Sequence, residues 1–224
     1  MITFVNKTIF LFMLPIYFIA ISFITSFRIY KQYDSEFYLK LFPPYLGLSL
    51  VIEIIAIYLV SIGAKNYILY SAFGIIEFAF FLYVLSEIIK KKSVRRLIRI
   101  TLVLNALISA SNILFFQTNT YTSISYSFGS LLLVVFCIYY FFELFRYPKF
   151  IRLINEPSFW ICSGLLFYYC CSFPLLGLTT LLSYTPPLLV RNAYILLSVL
   201  NSLLYTLFII AFLCRIRIRK PISR

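Results

Sequence analysis

The chain has 224 residues, of which 62% are hydrophobic and only 12% are charged, and its mean hydropathy is +0.97. Soluble domains contain about 45–50% apolar and about 25% charged residues, so this composition excludes a soluble globular protein and predicts a protein of the lipid bilayer. The formal net charge of +13 would point to a nucleic-acid partner in a soluble protein, but here its distribution along the chain has another explanation.

Seven apolar segments approach or exceed the roughly 20 residues that a helix needs to cross a bilayer. We therefore predict an all-α, polytopic membrane protein, a seven-helix bundle in which residues 1–224 form a single domain. The first segment lacks a convincing small-residue cleavage site, so we expect a resident helix and not a signal peptide. In chain order the predicted segments are Thr8–Phe27, Phe42–Gly63, Tyr67–Ile89, Leu97–Phe116, Ser123–Phe145, Ser158–Ser183 and Ala193–Cys214.

The basic residues predict the orientation of this bundle. Counting Arg99, 17 of the 20 Lys and Arg lie in alternate connections and in the C-terminal tail. By the positive-inside rule this places the N-terminus outside and the C-terminus in the cytoplasm. We expect the cytoplasmic residues to contact anionic lipid headgroups, with a cytoplasmic or membrane protein partner as the alternative and no nucleic acid. The densest group comprises Lys90, Lys91, Lys92, Arg95 and Arg96.

Cofactor chemistry has little support in the sequence. Histidine is absent, and all five cysteines fall within predicted membrane helices, where they are expected to pack as small apolar residues. No cysteine set has ligand spacing together with carboxylates, so we expect no metal and no cofactor. A histidine-dependent catalytic triad is impossible, and we assign no catalytic residue.

Two carboxyl groups fall inside predicted membrane helices, which makes them candidates for a functional site. Glu53 and Glu77 each lie 12 positions from Lys65, at the centre of the tight turn between the second and third segments. A simple hairpin brings them to one depth, up to roughly 18 Å from that turn. Two carboxyls at one depth share a proton or are separated by a hydrogen-bond donor. The alternative is a purely structural role, in which each bonds a neighbouring helix.

Polar residues recur at helical spacing in the later segments, which predicts inward-facing polar stripes. Together with the two glutamates they suggest a ligand-binding pocket, whose further members would be Asn105, Asn112, Tyr168, Asn201 and Tyr205. The alternative is a set of interhelical hydrogen bonds without a cavity, since such bonds commonly join membrane helices.

Two further acidic residues have the spacing of ordinary surface ion pairs. Glu87 precedes Lys90 and Lys91 by three and four residues, and Glu143 precedes Arg146 by three. We expect a structural role for both.

Residues 115–170 carry a resemblance to a known group of proteins. The motifs are Phe115-Phe-Gln, Asn119-Thr, Ser125-Tyr, Gly129-Ser, Tyr139-Tyr-Phe-Phe-Glu143-Leu, Pro157-Ser-Phe-Trp160-Ile and Gly164-Leu-Leu-Phe-Tyr168. This stretch resembles bacterial seven-helix integral membrane proteins of about this length, a group without an established activity. The resemblance implies a multi-pass protein of the bacterial inner membrane and suggests signalling.

The first functional hypothesis is therefore a seven-helix receptor or sensor that binds a small ligand or lipid in the bundle core. A second hypothesis is a proton- or cation-coupled transporter or channel subunit that uses Glu53 and Glu77. A third is an intramembrane lipid-modifying enzyme with these glutamates as an acid–base pair.

Overall fold

In the computed structural model the backbone is described for residues 2–30, 36–116, 123–146, 153–181 and 187–217, and the side chains for residues 14–28, 36–115, 125–146, 154–175 and 192–214. All regular elements in these ranges are helical. They are α1 (Ile2–Tyr30), the one-turn α2 (Phe37–Lys40), α3 (Phe42–Ser61), α4 (Tyr67–Ile88), α5 (Lys92–Ser111), α6 (Ser123–Arg146), α7 (Pro157–Leu181) and α8 (Pro187–Arg217), with a π-helical turn at Asn112–Phe116 and a 3₁₀ turn at Leu153–Asn155.

The seven long helices occupy the seven predicted segments, and several extend beyond them. α5 begins at Lys92, five residues before the predicted start at Leu97, and α8 begins at Pro187 and not at Ala193. An apolarity criterion detects only the part of a helix suited to lipid, whereas backbone hydrogen bonding continues into polar flanking residues.

In the described part of the chain six helices are long and apolar enough to cross a membrane, which supports an all-α, multi-pass membrane architecture. Their apolar stretches are Phe37–Ser61, Tyr67–Ile88, Lys92–Phe115, Ser125–Arg146, Pro157–Leu175 and Asn192–Cys214. The part of α1 whose side chains are described, Leu14–Arg28, is apolar but shorter. Seven membrane crossings and the sides on which the termini lie remain predictions.

The helices form a ring in the spatial order α3, α1, α8, α7, α6 and α4, and α5 packs outside this ring against α4. α3 and α4 touch only sparsely, although a short turn joins them. Gly63 in that turn has φ +72°, a left-handed conformation that favours glycine. At the α6–α7 contact, Cys137 and Cys162 are buried free thiols, which is the packing role expected of them.

The two ends of the bundle differ in charge. Lys40, Lys90 and Arg146 lie at one end, called here the basic end, and the turn at Gly63 lies at the opposite end. Contacts at the basic end show that the helices alternate in direction: the Lys90 amide bonds Glu143, and the Phe42 ring contacts the Phe212 ring with centroids 5.4 Å apart.

A layer of phenyl rings closes the half of the bundle nearest the basic end. This aromatic layer consists of Phe42, Phe81, Phe208 and Phe212, all 0% exposed. Phe42 makes edge-on contacts with both Phe208 and Phe212, and Phe81 lies 6.0 Å from Phe208. Edge-to-face geometry stabilises such ring pairs beyond their buried area.

Burial falls off sharply toward the opposite end. On α3, all buried residues but Ala56 lie between Phe42 and Ser49. On α4, Ser71 is the only buried residue before Phe78, which begins a densely buried stretch. The hairpin of α3 and α4 is therefore packed near the basic end and open toward the opposite end.

Gly129 on α6 allows the closest approach of two helices. A Cβ atom at this position would lie 2.9 Å from Cγ and Cδ1 of the Phe78 ring. That ring is 3% exposed and is held between Tyr126 and Tyr169, with centroids 5.3 and 5.6 Å away. These two tyrosine rings restrict the movement of the Phe78 ring.

Replacing Gly129 with alanine is expected to destabilise the bundle by about 1–3 kcal/mol, because the added methyl overlaps a fixed ring. The matched control is Gly74→Ala on α4, where a Cβ meets no atom within 4 Å. Thermal unfolding in detergent should show a lower midpoint for G129A and an unchanged or slightly higher midpoint for G74A. Equal midpoints for the two variants would contradict this packing.

Candidate functional site

Glu53 and Glu77 lie near each other at mid-depth, on α3 and α4. Their carboxyl groups are close enough to interact electrostatically, as expected from their equal distance to the turn. The Tyr70 hydroxyl donates a 3.0 Å hydrogen bond to Oε2 of Glu53. Both glutamates are half-buried. No lysine or arginine acts on either carboxyl among the residues that the structure describes.

Five tyrosines lie within electrostatic range of the Glu77 carboxyl. α3, α6 and α8 provide one each and α7 provides two adjacent ones, so four helices converge on a carboxyl carried by a fifth. This tyrosine cluster consists of Tyr45, Tyr126, Tyr168, Tyr169 and Tyr205.

Packing of the rings fixes the positions of these hydroxyls. The Tyr45 ring stacks on Phe80 with centroids 4.0 Å apart, and it contacts Phe81 of the aromatic layer edge-on. The Tyr205 ring lies 5.9 Å from Phe208, also edge-on. The tyrosine cluster thus rests directly on the aromatic layer, with its hydroxyls in the middle of the bundle.

Two hydroxyls of the tyrosine cluster are buried without a hydrogen-bond partner among the described residues. They belong to Tyr45, which is 5% exposed, and Tyr169, which is 0% exposed. The Tyr169 hydroxyl lies near the Glu77 carboxyl without forming a well-directed hydrogen bond. An unsatisfied buried hydroxyl costs roughly 1–3 kcal/mol. A group that binds at Glu77 could satisfy both.

A small cleft lies beside the carboxyl pair, between α4, α5 and α6. Its volume of about 10 Å³ is room for about one water molecule. This cleft, called here the serine cleft, is lined by Tyr70, Ser71, Gly74, Ile75, Phe78, Ser109, Ser125 and Tyr126. Tyr70 and Tyr126 border both the serine cleft and the carboxyl pair.

The residues predicted for the pocket do not all come together. Tyr168 and Tyr205 join Glu53 and Glu77. Asn201 is half-buried on α8 and bonds neither carboxyl in the described part of the chain. Sequence patterns contain no information on the order of the helices around the bundle, so they could not separate these groups.

Asn105 lies on α5, outside the helix ring, and Asn112 lies in the π-helical turn that follows α5. Asn105 is 2% exposed and its Oδ1 has no partner among the described residues. Asn112 begins the π-helical turn and donates a 2.7 Å hydrogen bond to Ser125 of α6. Of the polar residues of α5, Asn105 and Ser109 are buried, and Ser109 lines the serine cleft.

Sequence reasoning missed three members of the tyrosine cluster, Tyr45, Tyr126 and Tyr169. Periodicity selected Tyr168 on α7, and its neighbour Tyr169 is the more deeply buried of the two. The available signal was the count of 19 tyrosines, several in the middle of apolar segments. A phenol at that depth needs a polar partner.

The basic residues at the end of α4 and start of α5 differ in their roles. Lys90, Lys91, Lys92 and Arg96 are exposed. Arg95 is half-buried, and its guanidinium donates to the carbonyl oxygens of Ile89 and Glu87 at 3.2–3.4 Å. Four of the five predicted surface cations are therefore exposed to headgroups or a partner. The fifth, Arg95, instead bonds the backbone of the connection between α4 and α5.

The two acidic residues at this end also act on the connection. Glu143 accepts hydrogen bonds from the backbone amides of Lys90 and Lys91 at 3.0 and 3.1 Å, so α6 fixes the start of α5. Glu87 pairs with Arg99 at 2.9 Å, and the expected pairing with Lys90 or Lys91 is wrong. Sequence spacing predicts pairs of charges within one helix. In the fold α5 lies beside α4, so the partner of Glu87 is Arg99 on the neighbouring helix. The predicted cations at positions 149, 152 and 218–224 lie outside the described residues.

Removing the Glu143 carboxylate is expected to loosen this connection. Glu143→Ala leaves two backbone amides without acceptors and should cost about 0.5–2 kcal/mol, as loss of a helix cap does. Amide hydrogen exchange at Lys90 and Lys91 should accelerate. The control Glu87→Ala removes a largely exposed ion pair worth about 0–1 kcal/mol. Unchanged exchange in E143A would refute this role.

Loss of the Tyr70 hydroxyl is expected to weaken the contact between α3 and α4. Tyr70→Phe removes the donor to Glu53 and should cost roughly 0.5–1.5 kcal/mol, the range for single polar contacts between membrane helices. Thermal unfolding measures the effect. Tyr58→Phe is the matched control, since Tyr58 lies on α3 of the same hairpin and is 63% exposed. Equal losses in both variants would show that the hydrogen bond contributes nothing.

Comparison with known proteins gives no family model, no curated protein and no solved structure that matches the chain.

Proposed function

We propose that this chain is a seven-helix receptor or sensor of the bacterial inner membrane that binds a small, positively charged ligand between its helices. In this proposal the N-terminus is outside and the basic end is cytoplasmic, where its exposed lysines contact anionic headgroups and a protein partner. The helical architecture and the six apolar spans support the membrane part of the proposal.

The observation that carries the proposal is the pair of carboxyl groups without a basic neighbour. An ionised carboxylate at this depth needs a counter-charge, because charge is costly in a low-dielectric interior. No lysine or arginine of the described residues acts on Glu53 or Glu77. The charge that balances them therefore comes from a bound proton or a bound cation.

The tyrosine cluster fits a cationic occupant. Aromatic faces attract cations, and phenol oxygens accept hydrogen bonds from an ammonium group or coordinate a metal ion. The hydroxyls of Tyr45 and Tyr169 make no well-directed hydrogen bond among the described residues, so they keep hydrogen-bonding capacity for a ligand. An anionic ligand would instead face two carboxyls.

Binding at this place would act on most of the bundle, because the residues around Glu77 come from α3, α4, α6, α7 and α8. A change at Glu77 would displace rings that rest on the aromatic layer. α4 continues from Glu77 to Glu87 and the connection held by Glu143. This gives a physical link from the site to the exposed lysines.

A second function is favoured by one specific observation, the size of the open space beside the glutamates. The serine cleft has room for about one water molecule, which suits a proton or a small ion better than an organic molecule. A proton- or cation-coupled transporter or channel subunit is the function that follows. It uses the same two carboxyls, and it differs in moving the cation across the membrane.

Neutralising the glutamates tests both functions. The purified protein in nanodiscs is titrated with acid, sodium ion and tetramethylammonium while its thermal midpoint is followed. At least one probe should shift the midpoint of the wild type, and Glu77→Gln and Glu53→Gln should remove most of that shift, because an amide carries no charge to balance. A ligand at 100 times its dissociation constant stabilises by about 2.7 kcal/mol.

Glu87→Gln is the matched control, since this carboxyl lies on the same helix at its exposed end. Identical titrations for the wild type and both core variants would refute a cation site at the glutamates. Uptake of acid or sodium ion into proteoliposomes then separates the functions: flux that needs Glu77 supports a transporter, and binding without flux supports a sensor.

A further inference from the structure

We propose that the serine cleft holds a water molecule that passes protons to Glu53 through the Tyr70 hydroxyl, from the end of the bundle opposite the basic end. The inference rests on the proposed function only in treating the carboxyl pair as the site. It adds the route and the side from which that site is reached.

The serine cleft has the size and the lining that a single water needs. A buried water occupies about 10–15 Å³ and makes two to four hydrogen bonds, and the cleft measures about 10 Å³. Serines on three helices are among its lining residues, with Ser71 on α4, Ser109 on α5 and Ser125 on α6. Each hydroxyl can donate or accept, so a water there has partners in either orientation.

Tyr70 connects this water to the carboxyl pair. Its side chain lines the serine cleft, and its hydroxyl donates to Oε2 of Glu53 at 3.0 Å. Glu53 in turn interacts with Glu77. On the other wall Tyr126 interacts with Glu77 and bonds Ser172 at 3.4 Å. One tyrosine of the cleft wall is thus connected to each carboxyl: Tyr70 to Glu53 and Tyr126 to Glu77.

The proton balance is simple. A protonated water in the cleft gives one proton to the Tyr70 oxygen, while the Tyr70 O–H bond breaks and its proton goes to Oε2 of Glu53. Tyr70 returns to its neutral form, Glu53 becomes neutral and one proton has moved inward. No oxidant or other co-reactant takes part.

Among the described residues, the lining of this route lies toward the end opposite the basic end. Ser71 is the fifth residue of α4 and Ser125 the third residue of α6, and both helices begin at that end. Gly74 lines the cleft, and a Cβ there would meet nothing within 4 Å. Toward the basic end the aromatic layer is 0% exposed. A proton reaches Glu53 through the cleft and not through that layer.

Filling the cleft tests the route. Gly74→Leu places an isobutyl group where no atom lies within 4 Å of the Cβ. Ala72→Leu adds the same side chain two residues earlier, at an exposed position of α4. Acidified protein in nanodiscs is transferred from H₂O to D₂O. The carboxyl C=O infrared bands, assigned by their loss in E53Q and E77Q, then report the exchange rate.

We expect G74L and Tyr70→Phe to slow exchange of the Glu53 band by at least about tenfold, and A72L and Tyr58→Phe to leave it unchanged. Wild-type exchange in folded G74L would overturn the route, as would equal slowing in A72L. If G74L does not fold, Gly74→Val provides the smaller obstruction, and the result for Y70F stands independently.

Failure of this inference is distinguishable from failure of the proposed function. Exchange is measured without any ligand, so a cation site can exist while the cleft has no role. Conversely, a slowed G74L together with identical titrations of the wild type and E77Q would support the route and refute the ligand site.

Discussion

The cost of placing two carboxyl groups at mid-depth in an apolar bundle is the constraint on which the rest of the arrangement depends. In hydrocarbon such groups are unfavourable by several kcal/mol unless polar groups surround them. In the described part of the chain the groups near these carboxyls are phenols and not basic side chains, since Tyr70 bonds Glu53 and five tyrosines lie within electrostatic range of Glu77. Because those tyrosines come from four helices, the same requirement fixes how the helices meet.

Tyrosine suits this task because its two ends have different preferences. The rings pack with phenylalanines, as Tyr45 does on Phe80 and Tyr205 on Phe208, while the hydroxyls point to the polar centre. The result is a buried aromatic layer on one side of the carboxyl pair and the serine cleft on the other. The two sides of the carboxyl pair therefore differ, whereas in a uniformly packed bundle they would be alike.

The connection between α4 and α5 is held by only two charged side chains in the described part of the chain. One carboxylate, Glu143, holds two backbone amides, and one guanidinium, Arg95, holds two carbonyl oxygens. The neighbouring lysines are left exposed by this arrangement. Structural and interaction roles are thus divided among adjacent charges that look equivalent in sequence.

The sequence by itself determined the class of fold, the seven helical segments and the equal depth of Glu53 and Glu77. Each of these follows from one-dimensional quantities: apolar run length, helical rise and distance from a turn. It also identified Tyr168 and Tyr205, because their helices carry polar residues at helical spacing.

Only the tertiary structure decided which helices are neighbours, and with it the rest of the site. It placed Asn105 on the peripheral α5 and Asn112 in the π-helical turn that follows, away from the carboxyl pair, and it added Tyr45, Tyr126 and Tyr169. It also paired Glu87 with Arg99. The physical reason is that helix order around a bundle depends on side-chain packing between distant segments, such as Phe78 against Gly129, and a pattern within one segment contains no record of that contact.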